Sequence, residues 1–158
     1  MRRTLIIAAA LAVVLAASST AFAHETGGTA DEAKAMLIKA AAAVKADEAK
    51  ALDLFNKGEG GFLDRDLYVF CINLVGREVA IGNPNTRHNV GNNIRSVRDS
   101  AGKPFGLEIY EAVQKPEGEI TEVAYVWPKP GADRTPAPKV TFVMKVSADL
   151  GCGVGYYK

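Results

Sequence analysis

The sequence predicts an α+β domain in which a long amino-terminal helix packs on an antiparallel sheet. Three observations predict it. A run of strong helix formers opens on a capping signature and closes on glycine. The apolar period then switches from helical to alternating. The strand-like segments follow one another with short connections, which favours antiparallel neighbours.

The chain has 158 residues. MRR is followed by the apolar run LIIAAALAVVLAA and by AFA at 21–23, the basic, apolar and small-residue succession of a secretory signal peptide. That run is shorter than the roughly 20 residues a spanning helix needs. Residues 1–23 are therefore expected to be cleaved near Ala23, leaving a periplasmic or secreted chain without a membrane span. Residues 24–30, polar and glycine-containing, read as a short flexible lead. Thr29-Ala30-Asp31-Glu32 has the capping-box form, in which hydroxyl and carboxylate each satisfy a backbone N–H left free at a helix start. Residues 32–58, EAKAMLIKAAAAVKADEAKALDLFNKG, are nearly all good helix formers and end on Gly58. One helix of about 40 Å is expected. Its apolar stripe (Leu37, Ala41, Val44, Leu52, Phe55) is interrupted by Glu48, which places the strongest burial near Leu52 and Phe55.

Beyond Gly58 the pattern becomes that of strands. LYVFCINLVG at 67–76 is apolar on both faces, as in a central strand. Gly76 turns the chain into REVAIG, expected to return antiparallel beside it. A polar loop follows at 83–102, then a helix within KPFGLEIYEAVQK at 103–115. Strands are expected at 120–127 (ITEVAYVW), 139–146 (KVTFVMKV) and 151–157 (GCGVGYY). Residues 31–158 thus read as one domain.

Composition excludes several functions. Arg2 and Arg3 are the only charged residues in the first 23, so the remainder carries 17 basic against 18 acidic residues, a net charge of −1. A nucleic-acid binder should carry a basic excess on one face, so none is expected. The two histidines are His24 and His88, and no Ser-His-Asp or Cys-His constellation has a recognisable spacing, so no enzyme activity is expected. His24 would be amino-terminal after cleavage, where amine and imidazole can chelate copper, but an incidental histidine in the lead is the simpler reading. GCGVGYYK is not a phosphate loop, since no helix follows it. No metal and no cofactor are expected.

The segments ALDLFNKGEGGFLDRDLYVFCINLVGREVAIGNP, VGNNIRSVRDSAGKPF and AYVWPKPG, with KVTFVMKV and GCGVGYY after them, resemble a single Cache domain of type 2. This is the extracytoplasmic PAS-like sensor module of bacteria, and the resemblance covers nearly all of 24–158. It implies a five-stranded antiparallel sheet in the spatial order 2-1-5-4-3, a long helix behind it and a small-molecule pocket in front. It also implies ligands that are small carboxylates or amino-acid-like anions, sensed for a membrane receptor or sensor kinase. With no transmembrane helix or signalling domain in the sequence, a free-standing exported form acting with a separate partner is expected. Two departures stand out: Asn83-Pro84 where related domains often have His-Pro, and the acidic PEGEITEV ahead of Tyr125.

Within that frame, alternation puts Val123, Tyr125 and Trp127 on one face of the third strand, and Pro128, which cannot donate to a ladder, weakens pairing there. Tyr and Trp supply a wide apolar wall with one donor each. Lys129 and Lys139 flank one loop and are expected to line an anion pocket with them. Residues 77–103 hold Arg77, Arg87, Arg95, Arg98 and Lys103 against Glu78 and Asp99. Arginine forks suit carboxylates, so Arg87, His88 and Arg95, with Tyr110 of the following helix, complete the candidate set. The family order makes the first and last strands neighbours, and with export it implies a Cys71–Cys152 disulfide. The expected function is an exported domain that binds a small organic anion without transforming it. The alternative is a ligand-free module docking on a membrane receptor or envelope partner through its long helix.

Overall fold

The computed structural model describes residues 27–158. The expected signal peptide, its cleavage site and residues 24–26 lie outside them. The elements are α1 (Ala30–Ala46), α2 (Glu48–Lys57), β1 (Leu63–Asp64), β2 (Leu67–Asn73), β3 (Glu78–Ile81), α3 (Phe105–Ala112), β4 (Ile120–Pro128), β5 (Pro136–Lys145) and β6 (Leu150–Tyr157). Every strand pairing is antiparallel, in the order β3-β2-β6-β5-β4, with the two-residue β1 also against β2. Setting β1 aside, this is the expected 2-1-5-4-3 sheet.

The capping box forms as expected: Thr29 N–H donates to Glu32 Oε2 at 2.8 Å and Glu32 N–H to Thr29 Oγ1 at 3.3 Å. The single long helix does not. It breaks at Asp47, which ends α1 and starts α2, its Oδ1 accepting from Lys50 N–H at 3.0 Å. The reason lies in the helical phase. An unbroken helix that buries Val44, Ala51 and Phe55 would bring Asp47 and Glu48 onto the same stripe. The break leaves both acids exposed and uses one as a cap. Phe55 is fully buried as expected, but Leu52 is only half-buried, and α1 buries a continuous stripe of its own at Ala33, Met36, Leu37, Ala40, Ala41 and Val44.

The expected flexible lead also ends sooner. Gly28 is buried, its N–H donates to Asp66 Oδ1 at 2.6 Å, and a Cβ there would overlap Leu67. Helix α1 is thereby anchored to the β1–β2 hairpin before its first turn.

Two cores sandwich the sheet. Behind it, α1 and α2 pack on Leu67, Val69, Cys71, Phe142, Met144, Cys152 and Val154. In front, α3 and the loop before it pack on Phe70, Ile72, Ile81, Val123, Tyr125 and Val143. The loop contains two short 3-10 turns, at Arg87–Asn89 and Ile94–Ser96. It presses directly on α3: a Cβ at Gly106 would overlap the Ile94 carbonyl oxygen, so only glycine permits this approach. Asp99 ties the same loop to the sheet, accepting from Val126 N–H at 3.1 Å and from Ala101 and Lys103 N–H at 2.9 Å each.

Cys71 and Cys152 face each other across β2 and β6 and are disulfide-bonded over a sequence separation of 81. Closing such a loop contributes about 4 to 5 kcal/mol in the chain-entropy model. The denatured, unreduced protein should therefore show no reactive thiol on titration. The Cys71→Ala/Cys152→Ala pair should lower the urea unfolding free energy by about 3 to 5 kcal/mol. Two titratable thiols would contradict the bridge.

Candidate functional site

A cavity of about 50 Å³ lies between the front of the sheet and the layer formed by the loop and α3. Its walls come from three strands, the loop and α3: Tyr68 and Phe70 of β2, Glu78 of β3, Thr86, Asn89, Ile94 and Val97 of the loop, Phe105 and Ile109 of α3, and Tyr125 and Trp127 of β4. On a measure by which one water takes about 10–15 Å³, this is room for about three to five water-sized groups. Phe105 fixes the aromatic wall, stacking on Tyr125 with ring centroids 4.0 Å apart and meeting Trp127 edge-on at 5.3 Å. The alternation read in AYVW thus places both aromatic residues on the cavity side.

One end of the cavity is backed by a buried cation. Lys139 is 2% exposed, sits on the front face of β5 between Tyr125 and Tyr157, and donates from Nζ to Tyr68 Oη at 2.9 Å. The ammonium lies 4.2 Å from the Tyr68 ring centroid and 4.9 Å from that of Tyr157. Burial acts to lower its pKa, but the phenol oxygens of Tyr68, Tyr125 and Tyr157 outweigh burial and hold the group charged. No carboxylate pairs with it among the described residues. Burial pushes the Tyr125 and Tyr157 phenols up, so both stay neutral donors. Tyr125 shares a 2.9 Å hydrogen bond with Thr141, and Tyr157 donates to the Pro128 carbonyl at 2.7 Å. Space for the lysine stem exists because residue 155 is glycine; a Cβ there would overlap both Lys139 and Thr141.

Glu78 supplies the opposite chemistry. Strict alternation in β3 would put it on the same face as Ala80, against the helices. Instead the β2–β3 register runs Cys71↔Ala80 and then Ile72↔Glu78, so Val79 is an extra, bulged residue. The bulge turns Glu78 to the front, into the cavity wall. No donor among the described residues reaches its carboxyl, and burial pushes its pKa up to about 7. Sequence reading counted Glu78 only as a charge, because nothing in REVAIG marks a bulge.

The other expected site residues do not converge on the cavity. Arg95 is exposed and stacks on Tyr110, with its guanidinium carbon 4.6 Å from the ring centroid, outside the cavity lining. His88 is exposed on a 3-10 turn. Arg87 donates to the carbonyls of Ile81 and Gly82 at 3.5 and 3.2 Å. Lys129 is exposed, with Nζ 5.4 Å from the Tyr157 ring centroid, so it meets Lys139 only through that phenol. The basic excess of the loop also has a structural use: Arg77 donates to the Gly91 carbonyl, Arg98 to that of Gly102 and Lys103 to that of Ala124. These side chains stitch an irregular backbone whose carbonyls lack ladder partners.

Glu78 makes stability depend on pH. Its folded value lies above the ordinary 4.5, so up to about pH 7 the folded protein holds a proton that the unfolded chain has released. The contribution is full below pH 4.5 and declines as pH rises to about 7. The slope is at most about 1.4 kcal/mol per unit, less in proportion to the group's solvent contact. Relative to wild type, Glu78→Gln should gain unfolding free energy between about pH 5 and pH 8. An unchanged difference in urea titrations at the two values would contradict the assignment.

Comparison with known proteins agrees with this architecture. Residues 20–156 match the family Single Cache domain 2. A methyl-accepting chemotaxis protein from Vibrio parahaemolyticus superposes with a TM-score of 0.64 at 21% identity, over 80% of this chain and 86% of that one. The periplasmic sensor domain of a chemotaxis protein gives 0.58 at 24% identity, over 80% and 88%. A Cache chemosensory domain described for its carboxylic acid recognition gives 0.59 at 21% identity, over 80% and 86%. At these identities the likeness is one of fold. No curated protein matches the chain. With the family match spanning almost the whole sequence, and the sheet order, rear helix and front cavity in place, the chain belongs to the single Cache domain 2 family.

Proposed function

We propose that this Cache domain is an exported sensor that binds a small carboxylate-bearing molecule in its front cavity and works through a separate signalling partner. The observation that carries this reading is Lys139, a buried, charged ammonium with no carboxylate partner among the described residues, one hydrogen bond behind the Tyr68 wall. An unpaired charge away from water is costly and creates a strong preference for an anion beside it. Tyr68 and Tyr125 can pass hydrogen bonds to a carboxylate, and Trp127 and Phe105 enclose its apolar part. The small volume restricts ligands to a few non-hydrogen atoms. Carboxylic acid recognition by a Cache chemosensory domain of the same fold supports the ligand class. Export is supported by the amino-terminal signal pattern, and no described helix is long and apolar enough to cross a membrane.

The test is thermal melting of the purified protein against small carboxylates. A ligand at 100 times its Kd adds about 2.7 kcal/mol, a rise of several degrees. Trp127→Ala and Lys139→Met should each weaken that ligand by about 10- to 100-fold, the loss expected when a desolvated contact or a charge-assisted hydrogen bond is removed. A carboxylate that stabilises both variants as well as wild type would place binding elsewhere. A flat response across the panel would favour a ligand-free docking module.

A further inference from the structure

The cavity has two polar ends, and only one is explained by a carboxylate. Lys139 stands behind the Tyr68 and Tyr125 end. Glu78 lines the wall contributed by β3, turned there by the bulge at Val79. Lys139 stands on β5 and reaches Tyr68 of β2 across β6, whereas Glu78 stands on β3, on the other side of β2. Cation and acid therefore approach the site from opposite sides of the strand that carries Tyr68. Neither has an ionic partner among the described residues, and each would find one in a ligand carrying the opposite charge at that end.

A plain carboxylate satisfies Lys139 but leaves Glu78 either ionised near a second anion or forced to keep its proton. A ligand with an ammonium beside its carboxylate satisfies both and leaves the complex without an uncompensated charge. Size limits the ligand to a few non-hydrogen atoms, a bound that glycine, alanine, acetate and propionate all meet, so charge and not size separates them.

We propose that the site takes a small α-amino acid, of the size of glycine or alanine, with its carboxylate at the Lys139 end and its ammonium on Glu78. This rests on the reading of the cavity as a carboxylate sensor. The titratable groups at the cavity are Glu78 on β3, Tyr68 on β2 and Tyr125 on β4, with Lys139 behind them on β5; the loop and α3 contribute only uncharged side chains to its wall. Glu78 is the group whose charge changes over the neutral pH range, while burial keeps the Tyr125 phenol protonated.

The experiment compares glycine, L-alanine, acetate and propionate by calorimetry on wild type and Glu78→Gln, at about pH 5.5 and pH 8. Glycine or alanine should bind wild type more tightly than propionate. Ionisation of Glu78 should make the amino acid about 30-fold tighter at the higher pH, whereas a plain carboxylate should weaken. Glu78→Gln should lose at least about tenfold toward the amino acid, lose the pH dependence and still bind propionate, which also reports that the variant pocket is intact. Propionate binding without amino-acid binding would overturn this inference and leave the carboxylate sensor standing. So would amino-acid affinity that falls as pH rises, or that survives in Glu78→Gln. Silence from all four ligands would overturn the sensor reading and this inference together.

Discussion

Lys139 carries a positive charge into the front of the sheet, and no carboxylate among the described residues meets it. Much of the surrounding sequence follows from that placement. Residue 155 must be glycine for the lysine stem to cross β6. Tyr68, Tyr125 and Tyr157 arrive from three different strands, and their oxygens and ring faces replace the water the ammonium lost. Thr141 occupies Tyr125, and the Pro128 carbonyl occupies Tyr157, so these two phenols are held in place, not free to turn away. The arrangement keeps the charge but does not neutralise it. That residual field sets this cluster apart from an ordinary aromatic core.

The acid at the other side of the cavity depends on backbone geometry. One extra residue, Val79, against Cys71 changes the face on which Glu78 emerges. Without the bulge the carboxyl would be driven toward the apolar layer of α1 and α2, a far costlier place for it. The edge position of β3 makes the irregularity tolerable, because an edge strand loses few ladder bonds to a bulge. Asn56 of α2 secures the distorted strand, donating to the Val79 carbonyl at 3.2 Å and accepting from Ile81 N–H at 3.0 Å. Rear helix and front site are thus coupled through one side chain.

Legibility in the sequence divides along the same line. Regular elements announced themselves: the capping box at Thr29, the αL stop at Gly58, the central strand at β2 and the alternation that put Tyr125 and Trp127 together. Features set by phase or by single-residue irregularities did not. The break at Asp47 follows from where two acids fall on the helical wheel, a competition the high helix propensity of the run conceals. The β1–β2 hairpin turns through Arg65, a non-glycine residue at φ 54°, so it lacks the Asn-Gly signal that marks such turns. Lys139 opens the expected strand 139–146, but its burial was not legible, since a lysine opening a strand gives no sign of it. The loop arginines illustrate a related point: composition shows that they are basic, not that Arg77, Arg87 and Arg98 donate to backbone carbonyls while Arg95 stacks on Tyr110.

The distribution of rigidity then determines which parts of the domain can respond to a ligand. Strands β2 and β6 are bolted together by the Cys71–Cys152 bridge and covered by α1, so the back of the cavity is stiff. The front wall consists of two 3-10 turns and a short helix held by arginine-to-carbonyl contacts and by Asp99. Segments with few ladder bonds and exposed backbone contacts open at lower free energy than a disulfide-braced sheet. A ligand that draws Tyr125, Trp127 and Phe105 inward therefore acts first on α3 and on the loop stacked against Gly106. The buried stripes of α1 and α2, by contrast, are committed to the braced sheet, so the front layer is the part of the domain freest to move.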